Sequence, residues 1–189
     1  RGSIRPSPEP VSSLPAFPIR PGPAPATPEA MAARGYALRH ARDEDLPQLR
    51  RLYADTRAEE MAGVPWPEVA KQGFLDQQFA LQHQHYLREY AAADFLVLER
   101  AGVVQGRYYL LRADDVHLVV DISLMAGERG QGIGRALIQA SQREAAALGR
   151  GMYLHVSTAN PRAQRLYAAL GFVVSTSTAS HHRMDWRAS

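Results

Sequence analysis

A chain of 189 residues with 46% hydrophobic content is long enough for one domain with a buried core. With no cysteine, disulfides, thiolate metal sites and thiol nucleophiles are excluded. The net charge of +3 is too small for a nucleic-acid footprint, and among the 22 basic residues only Lys71 is lysine. No apolar run reaches the roughly 18–20 residues that span a bilayer, and no charged-then-apolar leader opens the chain. The expectation is a soluble cytoplasmic protein with no nucleic-acid or membrane partner.

Nine of the thirteen prolines fall within residues 1–30. Proline fixes φ and removes the N–H donor, so residues 1–34 read as a mobile, polyproline-like tail ahead of one domain over 35–189. Arg1-Gly2-Ser3 reads as a cloning remnant and Met31 as a native start. Tyr36 to Arg39 is a short strand. Asp43 caps a helix with Leu46, Leu49, Leu52 and Tyr53 on one stripe. Pro65-Trp66-Pro67 interrupts, and a second helix runs from about Pro67 to Tyr90. Phe95–Leu98 and Val103–Leu111 form a hairpin turned at Gly102. Val116–Met125 is a longer strand, followed by a helix over Ile133–Leu148. Met152–Val156 is a strand, Asn160–Leu170 a helix, and residues 172–175 and 183–187 two last strands. This order predicts an α/β (α+β) domain, a mixed sheet with helices on both sides.

Arg129-Gly130-Gln131-Gly132-Ile133-Gly134 lies between the long strand and its helix. Three alternate glycines let the backbone curl and approach a ligand closely. Free N–H groups and the positive dipole end at a helix start suit a phosphate or pyrophosphate. A plain turn closing a strand–helix junction is the other reading. Further on, Asn160 fits an N-cap, Pro161 the first helical position and Gly171 the left-handed stop before Phe172.

Together these segments resemble the GNAT superfamily of N-acetyltransferases. The family's pyrophosphate loop, Arg/Gln-x-x-Gly-x-Gly/Ala, is matched by Arg129, Gly132 and Gly134. Leu124 and Ala126 stand where members carry a small apolar residue and a proline. Asn-x-x-Ala-x-x-Leu-Tyr-x-x-x-Gly-Phe is matched by Asn160, Ala163, Leu166, Tyr167, Gly171 and Phe172. The resemblance spans roughly residues 36–187, and its specific part lies between 116 and 173. It implies a largely antiparallel sheet whose one parallel pair, 116–125 and 152–156, splays apart. The helical region 57–90 fits a bacterial branch, and members commonly form homodimers.

The resemblance also implies acetyl-CoA as co-substrate and no metal. The pyrophosphate would sit on the amides of Gly130, Gln131, Gly132, Ile133, Gly134 and Arg135, with the Arg129 or Arg135 guanidinium adding charge-assisted bonds. Leu124, Met125 and Ala126 would offer backbone groups to the pantetheine amides, and Asn160 would bond that arm or hold the loop. Direct transfer to a small-molecule or peptide amine needs a neutral amine, oxyanion stabilisation and a proton for the thiolate. An N–H near Leu124 would polarise the thioester carbonyl. Tyr167 matches the position whose hydroxyl lies near the sulfur; a phenol pKa of about 10 against about 8.5 for a thiol keeps it a donor. Asp121, an acid inside the central strand, is the candidate base or else a structural acid paired with an arginine; His117 and His155 are alternatives. Glu59 and Glu60 would frame a cationic acceptor. A CoA-binding module without turnover is the rival reading. A P-loop or dinucleotide site is disfavoured by the absent Gly-Lys-Ser/Thr and by the glycine spacing.

Overall fold

Apolar side chains alternate along the outer strands and run almost unbroken along the central ones, so one sheet buries both faces. The computed structural model describes residues 14–188. In chain order its elements are α1 (Glu29–Ala32), β1 (Tyr36–His40), α2 (Leu46–Thr56), α3 (Ala58–Ala62), α4 (Glu68–Glu89), β2 (Asp94–Arg100), β3 (Val103–Arg112), β4 (Val116–Leu124), α5 (Ile133–Ala147), β5 (Gly151–Ser157), α6 (Pro161–Ala169), β6 (Val173–Ser177) and β7 (His181–Trp186). Among these residues no helix is long and apolar enough to cross a membrane.

The sheet order is β1-β2-β3-β4-β5-β7-β6, with every neighbouring pair antiparallel except β4 and β5. Parallel pairing of β4 with β5 runs only from Val116↔Gly151 to Val119↔Leu154. Beyond it β4 continues to Leu124 and β5 to Ser157, so the two strands part and leave edge groups free. The expected mixed sheet with one splayed parallel pair is the observed architecture. On one face α5 and α6 pack against Leu96, Leu98, Tyr108, Leu154 and Met184. On the other, α2 and α4 cover Phe95, Val97 and Tyr109. A register shift between Tyr109 and Leu110 lets β4 bend at Val120, just past its last pair with β5.

Helix starts are set locally. Asp45, rather than Asp43, closes the turn ahead of α2, its carboxylate accepting from the Arg42 N–H at 2.8 Å. Asp43 instead accepts from the Phe17 N–H at 2.9 Å. That contact belongs to the main departure from the sequence reading. Residues 14–34 are not a loose tail but a strap on the domain; residues 1–13 lie outside the described residues. Phe17 is buried against His83 and Phe95, at ring-centroid distances of 4.9 and 5.8 Å. The His83 Nε2 meets the Pro15 carbonyl at 2.7 Å, and Arg20 donates to the Ala91 carbonyl at 2.8 Å. Thr27 Oγ1 accepts the Leu38 N–H of edge strand β1, and Met31 is 1% exposed under α5. Proline denies this segment a ladder, yet an extended chain can still insert side chains and cap an edge.

Phe17→Ala removes the strap's anchor and is expected to cost roughly 2–4 kcal/mol, lowering Tm by roughly 5–15 °C; an unchanged melt would show that the strap adds nothing. Burial also holds the imidazoles of His83 and His117 below the usual histidine value. The unfolded chain therefore takes up these protons first. Their contribution is complete above about pH 6.5 and is lost as pH falls toward the folded values. A Tm at pH 5 equal to that at pH 7.5 would contradict this.

Candidate functional site

The glycine loop is built to leave donors free. Gly130 and Gly132 have φ of 74° and 80°, the left-handed region that glycine enters without strain. Gly132 is the N-cap of α5, and the first N–H of that turn to be bonded within the helix is that of Ala136, to the Gly132 carbonyl. The amides of residues 132–135 thus point out of the helix start. A Cβ at Gly132 would meet nothing within 4 Å, so there is room in front of them. Gly134 serves packing instead, since a Cβ there would touch Ile122 and Leu166 at 3.7 Å. These features fit a pyrophosphate.

Two guanidinium groups that sequence reasoning did not place here join the loop. A Cβ at Gly130 would lie 2.9 Å from Arg162 Nη2, so this α6 arginine rests on the loop. Arg34 donates to the Gln131 carbonyl at 3.1 Å and to its Oε1 at 2.8 Å. The signal for Arg162 was its position two residues after Asn160; Arg34 was hidden by the reading of its segment as tail. Arg135 is exposed on the first turn of α5. Arg129 is engaged elsewhere: its Nε donates to the Leu124 carbonyl at 3.0 Å and its Nη2 to Asp55 at 3.1 Å. It fastens the loop to the end of β4 and to α2 and leaves the anion to others. Asp55 also accepts the Ala126 N–H at 2.7 Å, which removes that amide from the pantetheine set. Glu128, 5% exposed, completes the anchoring through the Tyr36 hydroxyl and Arg100.

At the end of β4, Met125 N–H donates to the Gln105 carbonyl of β3. Strand alternation then turns the Leu124 N–H and C=O toward the gap beside β5. This brings β3 and β4 very close, because a Cβ at Gly106 would lie 2.7 Å from the Ser123 carbonyl oxygen. The Leu124 N–H is thereby left facing the gap, whereas Met125 and Ala126 spend theirs within the protein.

Asp121 and Tyr167 converge at the same gap. Tyr167 is 8% exposed on α6, its ring 6.2 Å from that of Phe172. Burial, helped by the Asp121 charge, pushes its hydroxyl up to about 12. Asp121 sits where β4 leaves β5, and both its oxygens are taken. Oδ1 accepts from Ser123 Oγ at 2.7 Å and Arg107 Nε at 3.3 Å; Oδ2 accepts from the Tyr86 hydroxyl at 2.8 Å and Arg107 Nη2 at 2.9 Å. Arg107 is 3% exposed, and Gln82 accepts its other bond. With all four contacts made by protein donors, the arrangement is that of the structural acid paired with an arginine, one of the two readings of Asp121. His117 is fully buried, with Nε2 3.4 Å from Arg150, and cannot reach an acceptor. His155 is exposed one residue past the last β4–β5 pair.

The two glutamates of α3 differ in their surroundings. Glu60 is paired with Arg57 at 2.5 Å, which holds its carboxyl below the usual range, while Glu59 is exposed on α3. Asn160 Oδ1 accepts the Ala163 N–H at 3.1 Å, so its oxygen caps α6 and fixes the helix bearing Tyr167.

A mixed sheet with one splayed parallel pair beside a glycine-started helix is the fold that the resemblance to the GNAT superfamily implied. The model of the acetyltransferase (GNAT) family matches residues 57–172, more than half of the chain, and the chain belongs to that family. No curated protein matches the sequence. Solved structures similar in fold include the PaiA N-acetyltransferase of Thermoplasma acidophilum in complex with coenzyme A (17% identity, TM-score 0.63, covering 81% of this chain and 99% of that one). Others are an acetyltransferase of Thermus thermophilus (20%, 0.58, 81% and 97%) and the ribosomal-protein-S18-alanine N-acetyltransferase of Escherichia coli (19%, 0.56, 82% and 94%).

Arg162→Ala is expected to raise the Kd for CoA about three- to tenfold while moving the Tm without ligand by no more than about 1 °C. Titration by calorimetry with equal Kd values for both chains would remove Arg162 from the loop's anion site.

Proposed function

We propose that the chain transfers an acetyl group from acetyl-CoA directly to a primary amine. What supports this is Tyr167, buried on the helix whose Leu166 lies against Gly134 of the loop, its hydroxyl raised to about 12 by burial and by the charge of Asp121 on β4. The amides of 132–135, with Arg34, Arg135 and Arg162, would hold the pyrophosphate. The Leu124 N–H would donate to the thioester oxygen as negative charge develops there, the strongest single contribution a preorganised backbone donor makes. The amide C–N bond forms as the thioester C–S bond breaks. The amine loses its proton to water in the cleft, and the thiolate receives one from Tyr167, which recovers it from solvent. Asp121, fixed by Arg107, positions Tyr86 and Ser123 and contributes its field at the gap. The fold relatives that carry CoA, or that are named for protein amines, support this assignment of donor and acceptor type.

With the amine proton passing to water, the acid limb of the rate follows the acceptor's own ammonium group. Tyr167→Phe is expected to lower kcat about 10²–10³-fold with CoA affinity within about twofold, measured by thiol release and calorimetry. Equal turnover would take Tyr167 out of the reaction. CoA binding without turnover of any amine by the unaltered chain would favour the rival reading, a binding module.

A further inference from the structure

Between the strap and α5 the described residues leave a cavity of about 310 Å³. Leu38, Leu96 and Leu110 of the sheet form its floor, Leu137 and Ala140 of α5 one wall, and residues 25–28 of the strap the other. The hydroxyls of Tyr108 and Ser141, which also line it, bond each other at 2.8 Å, and no buried polar side-chain atom of the lining lacks a partner. The interior thus calls for an apolar occupant. An apolar space of about half this volume stays dry and takes up benzene, so this one has room for about eight to twelve carbons. The cavity lies over β1, β2 and β3, whereas the reaction centre lies between β4 and β5, and none of its lining residues belongs to the glycine loop.

The charged residues of the lining, Arg112, Arg143 and Glu144, are partly or fully exposed and so mark the mouth. Arg112 holds Glu144 at 2.7 Å and Asp94 at 2.8 Å, while Arg143 makes no ion pair among the described residues. A more open, polar hollow of about 370 Å³ shares Arg112 and Glu144 with the cavity and adds Asp94, Arg20 and Arg150. Arg20 Nε is buried there without a partner, and Arg150 reaches only the exposed Asp114, at 3.8 Å. Both acids that line these spaces are therefore taken by one arginine, and the other arginines leave the mouth with surplus positive charge.

We propose that this cavity is a second ligand site, for a medium-chain carboxylate. The chain packs among the leucines, and the carboxylate meets Arg143 at the mouth. Burial of each methylene favours a long chain over a short one, and the surplus guanidinium groups favour an anion over a cation. The site stands apart from the acetyl-transfer centre and does not depend on it. Titration calorimetry of the full chain with decanoate, butyrate and decyltrimethylammonium tests this. Decanoate is expected to bind at least about tenfold more tightly than either of the others, with its Kd changed by no more than about twofold in saturating CoA. Ala140→Leu, which extends a side chain into the cavity, is expected to weaken decanoate at least about tenfold. Arg143→Glu, at an exposed position, is expected to weaken it about threefold or more and carries the test should Ala140→Leu not fold. No binding of decanoate, equal affinity for butyrate or decyltrimethylammonium, displacement by CoA, or an unchanged Kd in either folded variant would overturn the proposal.

Discussion

The buried pair of Arg107 and Asp121 is the constraint on which the site depends. A guanidinium 3% exposed in the middle of a sheet is tolerable only if its donors are matched, and Asp121 and Gln82 match them. Breaking such a pair from one side leaves an uncompensated charge, which costs far more than the pair contributes when intact. The pair also ties three elements to one point. It fixes β3 to β4 at the register shift, and through Tyr86 and Gln82 it fixes α4 across both strands. The end of β4 is thus held against β3 where its partner β5 has departed. A frayed end there would lose the Leu124 N–H as a directed donor.

The glycine loop depends on a second set of ties running from other parts of the chain. Asp55 reaches it from α2, Glu128 links it to β1 and β2, and Arg34 comes from the strap. Preorganisation of this kind removes the entropy cost of ordering the loop when a ligand arrives. It also explains why Ala126-Gly127 can replace the proline of the family pattern. The bonds from Asp55 to the Ala126 N–H and from Glu128 to Tyr36 and Arg100 hold the turn that a fixed φ would otherwise favour.

Regular elements were legible in the sequence because burial and caps act locally. The stripe of Leu46, Leu49, Leu52 and Tyr53, the Asn160-Pro161 start and the Gly171 stop each identify a helix or its end without help from distant residues. The loop and Tyr167 could be found for the same reason. The strap could not, since proline-rich composition says only that no ladder forms; Phe17 is ordered by His83 and Phe95, which lie more than sixty residues away. Arg107 was missed although it alternates with Tyr109 and Leu111 on a buried face. Its charge argued for solvent, and only the pairing of β3 with β4 brings Asp121 to it.

The charge pattern near the gap follows from that same pairing rule. Acids in the sequence suggested attraction for a cationic acceptor, an inference that counts carboxylates without their neighbours. In a chain whose basic residues are nearly all arginine, bidentate forks are available at almost every acid, and a planar guanidinium saturates a carboxylate better than an ammonium does. Glu60 with Arg57 and Asp185 with Arg183 are both arranged this way. Each such fork removes a potential handle for a substrate charge, and its guanidinium also lies over a neighbouring ring, Arg57 over Tyr53 and Arg183 over Tyr153. The pairing that fixes the sheet thus also takes these acids out of any simple count of binding charges.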